Sequence, residues 1–523
     1  MEYNQPSLIV KDLNFGKDAK GKVIIGVDKL AKAVKSTLGA SGKCVIYEDA
    51  RGRPVITKDG VTVAESVVLL DPVENMGATL IKEAANNTVK EAGDGTTTAI
   101  VLAQSLLNTV NEAEYMSTSV REIKDGINSG LKKINEYLSK SSIPVKDKIL
   151  DHVSSISCNN DIELGKTIAE AYRKVGDNGI VLMEESDTED TNVKIVNGVQ
   201  FDSSLISPHL VTNKDKNISE LDNPKVLIVS SPIPNIRKIQ TILEHIIKTK
   251  SSLLIIAPVE QQVKAALLMN KVKGNIKVNI INLPGFGPTK NDTIEDLAIL
   301  TGAKVINEEL GDDLDLIQPD VLGEVYKSVT DDKNTVLTLG SFSNEIEERI
   351  KDVKKQIKKE QDPFLKSKIE QRLAMLSGSV GIVEVGANSQ VELKEKKDRV
   401  EDAIYATKAA LKEGIVPGGG IALLNAADNI NVENIGEKIL VKSIKSPFNT
   451  IMENAGIENY ETPTTKGVGF NVISGEQVDM IKSGIVDPVL VTKTALKNAV
   501  SVVGTIISAG CVISNVRIGN EGS

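Results

Sequence analysis

Residues Glu91–Gln104 read E-A-G-D-G-T-T-T-A-I-V-L-A-Q: one acid between two glycines, three threonines, then an apolar run. Gly93 and Gly95 open backbone conformations closed to other residues and let a bulky group approach the main chain. A helix starting after them offers unpaired N–H groups and partial positive charge, which together seat a phosphate. Asp94 alone would repel that phosphate. A divalent cation between them removes the conflict, because Mg2+ takes one or two carboxylates plus phosphate oxygens. Thr96, Thr97 and Thr98 add hydroxyl donors. The stretch also suits a plain helix start at which Asp94 and Thr96 cap, and no GK[ST] follows to make a P-loop. Two further turns bear on the choice. Thr57-Lys-Asp-Gly60 places Asp59 after a strand, which by itself reads as a hairpin turn. Pro417-Gly-Gly-Gly420 reads as a flexible loop or a second phosphate-proximal turn.

The chain around this loop has 523 residues, which predicts more than one domain. Hydrophobic content of 41% and charged content of 25% fit an ordinary globular protein. Aromatics make up only 3%, with no Trp, so Ile, Val, Leu and Ala must build the cores. A formal charge of −9 argues against a nucleic-acid partner. Cys44, Cys158 and Cys511 lie far apart without a CxxC, and three His residues (152, 209 and 245) are too few for a His-based metal centre. The cysteines read as small buried hydrophobes in a reducing compartment. No apolar run of about 18 residues is evident, so no membrane partner is expected. Residues 1–11 show neither a secretory nor a transit pattern, and the expected location is the cytoplasm.

Apolar spacing predicts a helix over Lys22–Leu38 with Gly39 as its C-cap. Short strands at 44–47 and 54–57, then helices from Met76 to Val89 and after Thr98, follow from the same reading. In the middle, apolar runs at 226–229, 253–256, 278–281 and 305–306 alternate with helical stretches at 236–248 and 260–272, which predicts a mainly parallel βα domain. Residues 344–376 read as two amphipathic helices broken at Asp362-Pro363. From about Lys408 the Ala/Val-rich helical style of the N-terminus returns, so the middle looks inserted.

These motifs, in this order, resemble the group I chaperonins, the GroEL family. The matching residues are T-L-G at 37–39, T-K-D-G at 57–60, E-N-M-G-A at 74–78, G-D-G-T-T-T-A at 93–99 and Q-F-D at 200–202. They continue with P-G-F-G at 284–287, L-T-G at 300–302, V-E-V-G-A at 383–387, K-E-K-K-D-R-V-E-D-A at 394–403, G-G-G at 418–420 and D-P at 487–488. The resemblance covers essentially the whole chain. It implies an α+β multidomain fold: a mostly helical equatorial domain from 1–140 and 413–523, a small α/β intermediate domain from 141–197 and 379–412, and an inserted βα apical domain at 198–378.

Position by position, the resemblance makes Asp94 the Mg2+ ligand in the Gly93–Gly95 loop and sets Thr96, Thr97 and Thr98 on phosphates. Asp59 would orient the attacking water, and Asp402 would complete the site. Leu38, Gly39, Ala40 and Lys58 would line a phosphate and K+ region. Gly419, Asn471, Val472, Ile473, Ile485 and Asp487 would hold the adenosine of ATP. Leu205, His209, Leu210, Ile239, Leu243, Val263, Leu267, Leu268 and Met269 would bind non-native client proteins. The implied activity is ATP-driven protein folding by a heptameric ring, single or double, that closes under a GroES-type lid.

Several residues depart from the family pattern. Ala40 replaces a proline, and Ser203 and Gln390 replace an Arg–Glu pair between neighbouring subunits. Gln240 and Lys264 replace apolar client-binding positions. Glu112, Met116 and Asn449 stand at the expected ring–ring contacts, where salt bridges are then missing. Two rival activities remain at this level: a ring-forming holdase with little ATP cycling, and a small-molecule phosphotransferase using the same loop. Intact Asp59, Asp94 and Asp402 weigh against the first, and the second lacks a legible acceptor pocket.

Overall fold

The computed structural model describes residues 11–515, apart from 50, 116, 147, 159–160, 177–179, 187, 214–216, 285–289, 341–343, 360–364, 366–368, 370–371, 374 and 377. Met116, most of the P-G-F-G motif and the break at Asp362-Pro363 thus lie outside the described residues. By compactness the chain forms two units, one made of 1–170, 185–192 and 385–523, the other of 171–184 and 193–384.

The first unit is helical. Its frame is α1 (Gly16–Lys35), α2 (Gly60–Ser66), α3 (Pro72–Ala92), α4 (Thr96–Val110), α5 (Val120–Ser141) and α6 (Lys148–Ser157), joined by late helices at Gln390–Glu413 and Val489–Ser508. Val27, Leu30, Ile81, Ile100, Leu106, Leu496 and Val503 meet in one fully buried core. Small residues set how closely these helices cross. A Cβ on Gly26 of α1 would stand 1.9 Å from the Glu74 carbonyl oxygen, and one on Gly77 of α3 2.2 Å from that of Val23. A core short of aromatics is therefore packed by bringing backbones together.

The expected helix at 22–38 starts earlier and stops at Lys35, with Ser36 rather than Gly39 at its C-cap. Gly39 serves the next turn instead, at φ +85 against the Ile451 side chain. Helix Val489–Ser508 has the length, 20 residues, and the mean hydropathy, 1.2, of a membrane span, although Lys493, Lys497 and Asn498 interrupt its apolar residues. With 67% of that window buried, it is a core helix.

Among the described residues, four small antiparallel pairs decorate this unit, two of which expose apolar side chains. Lys11–Phe15 pairs with Cys511–Asn515, Leu13 opposite Ile513, and so ties the chain ends together. Val45–Glu48 pairs with Pro54–Thr57, Ile46 opposite Ile56. Both pairs leave apolar side chains in solvent: Ile46, Ile56, Leu13, Phe15 and Ile513 are all more than half exposed.

The second unit holds the expected parallel sheet. Strands Val305–Ile306, Lys225–Val229, Ser252–Ile256 and Lys277–Ile281 lie side by side in that order, all parallel. The chain enters this unit within α7 (Ile162–Val175); helices α8 (Gln240–Thr249), α9 (Gln261–Val272) and α10 (Lys290–Thr301) connect the strands, and α11 (Asn344–Lys359) comes later. A second sheet of six strands went unread in the sequence. Its order is Ile180–Glu185, Ser379–Val385, Asn192–Phe201, Thr335–Leu339, Lys327–Thr330 and Ser219–Asp222. It pairs strands distant in the chain, a relation that local periodicity does not carry.

A buried ion network fastens α10 to α11 and to Arg372. Asp296, with no exposed surface, accepts from Arg349 Nε at 2.6 Å and from Arg372 Nε at 2.8 Å and Nη2 at 3.2 Å. Arg372 Nη1 also donates to Asp292 at 2.7 Å. Removing one partner strands a buried charge at a cost of about 3–5 kcal/mol, whereas an exposed pair is worth about 0–1 kcal/mol. Arg372→Ala should therefore lower the urea midpoint of this unit markedly. Lys304→Ala, which breaks the exposed 3.0 Å pair with Asp320, should leave it nearly unmoved.

Candidate functional site

Three residues join α3 to α4, and their conformation decides what the junction can hold. Gly93 ends α3 at φ +79 with its N–H on the Val89 carbonyl at 2.7 Å, and Gly95 precedes α4 at φ +96. No side chain caps α4. The Asp94 carboxylate accepts from the neighbouring Gly95 N–H and does not cap the helix, so the capping alternative fails. The first-turn amides of Thr96, Thr97 and Thr98 are left for an anion.

Asp59 reaches the same place from another direction. Its stretch is not a hairpin turn, because Asp59 is the N-cap of α2. Its Oδ1 accepts from Val61 N at 3.1 Å, and Oδ2 from Thr62 N at 2.8 Å and Thr62 Oγ1 at 2.5 Å. Gly60 brings this turn against α4, since a Cβ there would fall 2.3 Å from Thr97 Oγ1. Thr37 Oγ1 lies 3.4 Å from the same hydroxyl and completes the contact.

Asp402 comes from the Gln390–Glu413 helix, and Asp487 from strand Val486–Pro488, which pairs with Ile415–Pro417. Pro417-Gly-Gly-Gly420 runs from that partner strand into a helix at Ile421. A Cβ on Gly418 would sit 3.1 Å from Asp487 Oδ1. The glycine turn and the acid thus form one wall.

The electrostatics bind these acids into a group. Burial, then the charge of Asp59, pushes the Asp94 carboxyl above its ordinary range, opposed by the Gly95 N–H. Burial, then Asp94 and Asp59, pushes Asp402 well above it. Burial, then Asp94, raises Asp487 to about 7. Each keeps some accessible surface, yet the protein packed around each leaves little water to stabilise its charge. Among the described residues no three Asp, Glu, His or Cys side chains converge as a metal cage. A cation shared between one of these carboxylates and phosphate oxygens needs no such cage.

The remaining expected nucleotide positions divide. The Leu38 carbonyl is tied to Asn454 Nδ2 at 2.9 Å, and Ala40 is exposed. Lys58 is half-buried, and desolvation lowers its pKa. Val472 and Ile485 pack on the cluster around Phe448 and Met480. Asn471 Oδ1 accepts from Ile473 N at 3.0 Å and so shapes its own turn, while Ile473 is 73% exposed. Thr37, Gly60 and Gly418 stand in the T-L-G, T-K-D-G and G-G-G motifs but were given no role of their own in the site.

The client positions need correction. Leu210, Ile239, Leu243, Val263 and Leu267 are buried in the core of the second unit. Val263 and Leu267 lie four apart on the inward stripe of α9, and Ile239 and Leu243 line the inner side at α8, so packing claims them. Leu205 and Leu268 are partly buried, and His209 and Met269 are exposed. Apolar surface remains at the expected Met269 and is found also at Val272 and Ile247. Lys264 Nζ donates to the Ile206 carbonyl at 2.6 Å, and Lys271 Nζ to those of Leu210 and Val211, tying residues 206–211 to α9. Ser203 Oγ is likewise used internally, on the Asn282 carbonyl at 2.7 Å. Glu112 pairs with Lys442 at 2.5 Å and Glu114 with Lys438 at 2.5 Å, while Tyr460 Oη donates to Asn449 Oδ1 at 3.3 Å.

A helical body made from both chain ends, with a parallel α/β unit inserted in the sequence between them, defines the chaperonin fold. The chain belongs to the TCP-1/cpn60 chaperonin family, whose family model matches residues 30–517. It is a divergent member. The fold is shared with crystal structures of the chaperonin gp146 from "bacteriophage EL 2 (Pseudomonas aeruginosa)", obtained in presence of ATP-BeFx. One crystal form gives a TM-score of 0.70 and the other 0.64, each at 20% identity over 97% of this chain and 99% of gp146.

The raised carboxyls have a consequence for stability. A group with a folded pKa above its unfolded 3.8 binds more protons when folded, so stability falls as pH rises from about 4 through the folded value. For Asp487 that window ends near 7. The protein without nucleotide should melt higher at pH 5.5 than at pH 8, and Asp487→Asn should shrink that difference. Scanning calorimetry showing equal pH slopes would exclude Asp487 as a contributor.

Proposed function

We propose that the protein is an ATP-driven chaperonin: a ring that hydrolyses Mg-ATP and uses the resulting movement to fold non-native proteins. The observation that carries this reading is the convergence of Asp94, Asp59 and Asp402 around an uncapped helix start. Such a cluster is unfavourable by itself and becomes favourable around a cation and an anionic ligand. The presence of ATP-BeFx in the gp146 crystals supports a nucleotide as that ligand.

Asp94 would hold Mg2+, which when bound supplies positive charge against the phosphates. The amides and hydroxyls of Thr96–Thr98 would donate to phosphate oxygens. Asp59 accepts one bond on Oδ1 and two on Oδ2, and a carboxylate has room for about four, so it can also hold and orient a water. Asp402 would face that water from the other side. Asp487 beside Gly418 would accept from ribose hydroxyls, with K+ near Leu38 and Lys58. The arrangement works by positioning and charge, with little covalent chemistry asked of the protein.

Segments 141–197 and 379–412 would form the intermediate domain that carries Asp402, with 198–378 apical. Exposed Met269, Val272 and Ile247 supply apolar surface for clients, which share little else than exposed apolar groups. The exposed faces of the Val45–Glu48 hairpin and of the paired chain ends suit burial between neighbouring subunits. Glu112 and Glu114 already have lysine partners within the chain, which favours a single ring or a weakly paired double one.

Steady-state ATP hydrolysis tests the reading. Wild type should hydrolyse ATP only with Mg2+, and Asp402→Ala should lose roughly 10²-fold in kcat with KM little changed. Equal rates in the two proteins would favour the holdase. Sedimentation and electron microscopy with ADP and ATP should reveal single rings in at least one state, and a double ring persisting in both would refute the ring-number reading.

A further inference from the structure

The end of α3 and the glycine loop meet the Gln390–Glu413 helix along three consecutive residues, Ala92, Gly93 and Asp94. Ala92 packs with Ala409 and Val491 in a small apolar cluster. A Cβ on Gly93 would stand 2.3 Å from Tyr405 Cβ, 2.5 Å from Cγ and 2.8 Å from Cδ1, so the loop backbone lies directly on the stem of that ring. Asp94 acts electrostatically on Asp402. Read along the loop, 92, 93 and 94 meet 409, 405 and 402. On the helix those three positions are spaced by four and three residues and share one face. The opposite side of the helix is occupied, because Thr407 Oγ1 lies 2.9 Å from Ser154 Oγ of α6 in a buried contact.

The smallest side chains therefore stand where the helix comes closest. Any side chain at 93 would collide with Tyr405, apart from the strain that φ +79 imposes on it. Repulsion at such distances rises steeply, so the contact sets a sharp stop, whereas Ala92 against Ala409 sets only a soft one. A stop one helical turn from Asp402 controls where that carboxylate ends up.

We propose that Tyr405 is a positioning residue, seated on Gly93 so that the Gln390–Glu413 helix halts at the depth that brings Asp402 to the phosphate site. This rests on the ATPase reading given above. The ring stem makes the contact with Gly93, and Tyr405→Phe keeps that stem.

Three variants test it by ATP hydrolysis. Tyr405→Ala should lower kcat by roughly 10- to 100-fold, the scale of a catalytic group misplaced by about an ångström, with KM within about twofold of wild type. Tyr405→Phe should restore the wild-type rate. In an Asp402→Ala background, Tyr405→Ala should cost nothing further, because Tyr405 acts through Asp402. An unchanged kcat in Tyr405→Ala, a rise in KM alone, or an equal loss on top of Asp402→Ala would each overturn the proposal.

A second measurement is independent of hydrolysis. The chain contains no Trp, so Tyr405→Trp supplies a single fluorescent reporter. Adding Gly93→Ala should shift its emission to the red as the helix is pushed off the loop, and unmoved emission would overturn the contact itself. Absence of ATPase activity in the wild type, together with the emission shift between Tyr405→Trp and Tyr405→Trp/Gly93→Ala, would refute the ATPase reading and leave the contact standing.

Discussion

Mutual repulsion among carboxylates is the constraint on which the rest of the first unit depends. Asp59, Asp94, Asp402 and Asp487 come from a helix cap, a glycine loop, a long helix and a short strand, and the fold carries them into one cleft. Burial and the presence of one another hold Asp94, Asp402 and Asp487 above the ordinary carboxylate range. A fold tolerates such a group only if something offsets it. Here the offset is the positive end of α4, left without a side-chain cap, together with the donors that Asp59 already engages.

Holding that cluster in place requires rigid supports. The crossing of α1 and α3 at Gly26 and Gly77 is so close that neither helix can slide without a collision. The loop grows from the end of α3, so its position follows from that crossing. Gly60 on Thr97 and Gly418 beside Asp487 repeat the device at the rim. No Trp and few other aromatics are present; apart from the edge-to-face rings of Phe448, Tyr460 and Phe470, backbone proximity takes the place of ring packing at these crossings, and the site inherits its precision from those contacts.

The second unit follows another logic. Its parallel sheet consumes most of the apolar residues of α8 and α9, among them Ile242, Val263 and Leu267. What stays outside is a short stripe near the end of α9, and Lys264 and Lys271 spend their ammonium groups on carbonyls of residues 206–211. That segment is thereby tethered to α9 by charge-assisted hydrogen bonds rather than by apolar packing.

Much of this was legible in the residues. The strands at 225–229, 252–256 and 277–281 announced themselves as continuous apolar runs, because both faces of a parallel sheet are covered. The glycine loop and the kinship to chaperonins were legible too, since Gly93, Asp94 and Gly95 are local requirements written side by side. The six-stranded sheet was not, because its register joins residues such as Val199 and Leu337 that no local pattern links. Nor was the division of α9 into core and surface, which depends on what packs against each face. The sequence by itself determined which chemistry the loop can offer, because backbone freedom and charge are properties of single residues. Only the tertiary structure decided that Tyr405 stands on Gly93 and that Asp402 faces Asp94, because such proximity is made by the folding of distant segments onto one another.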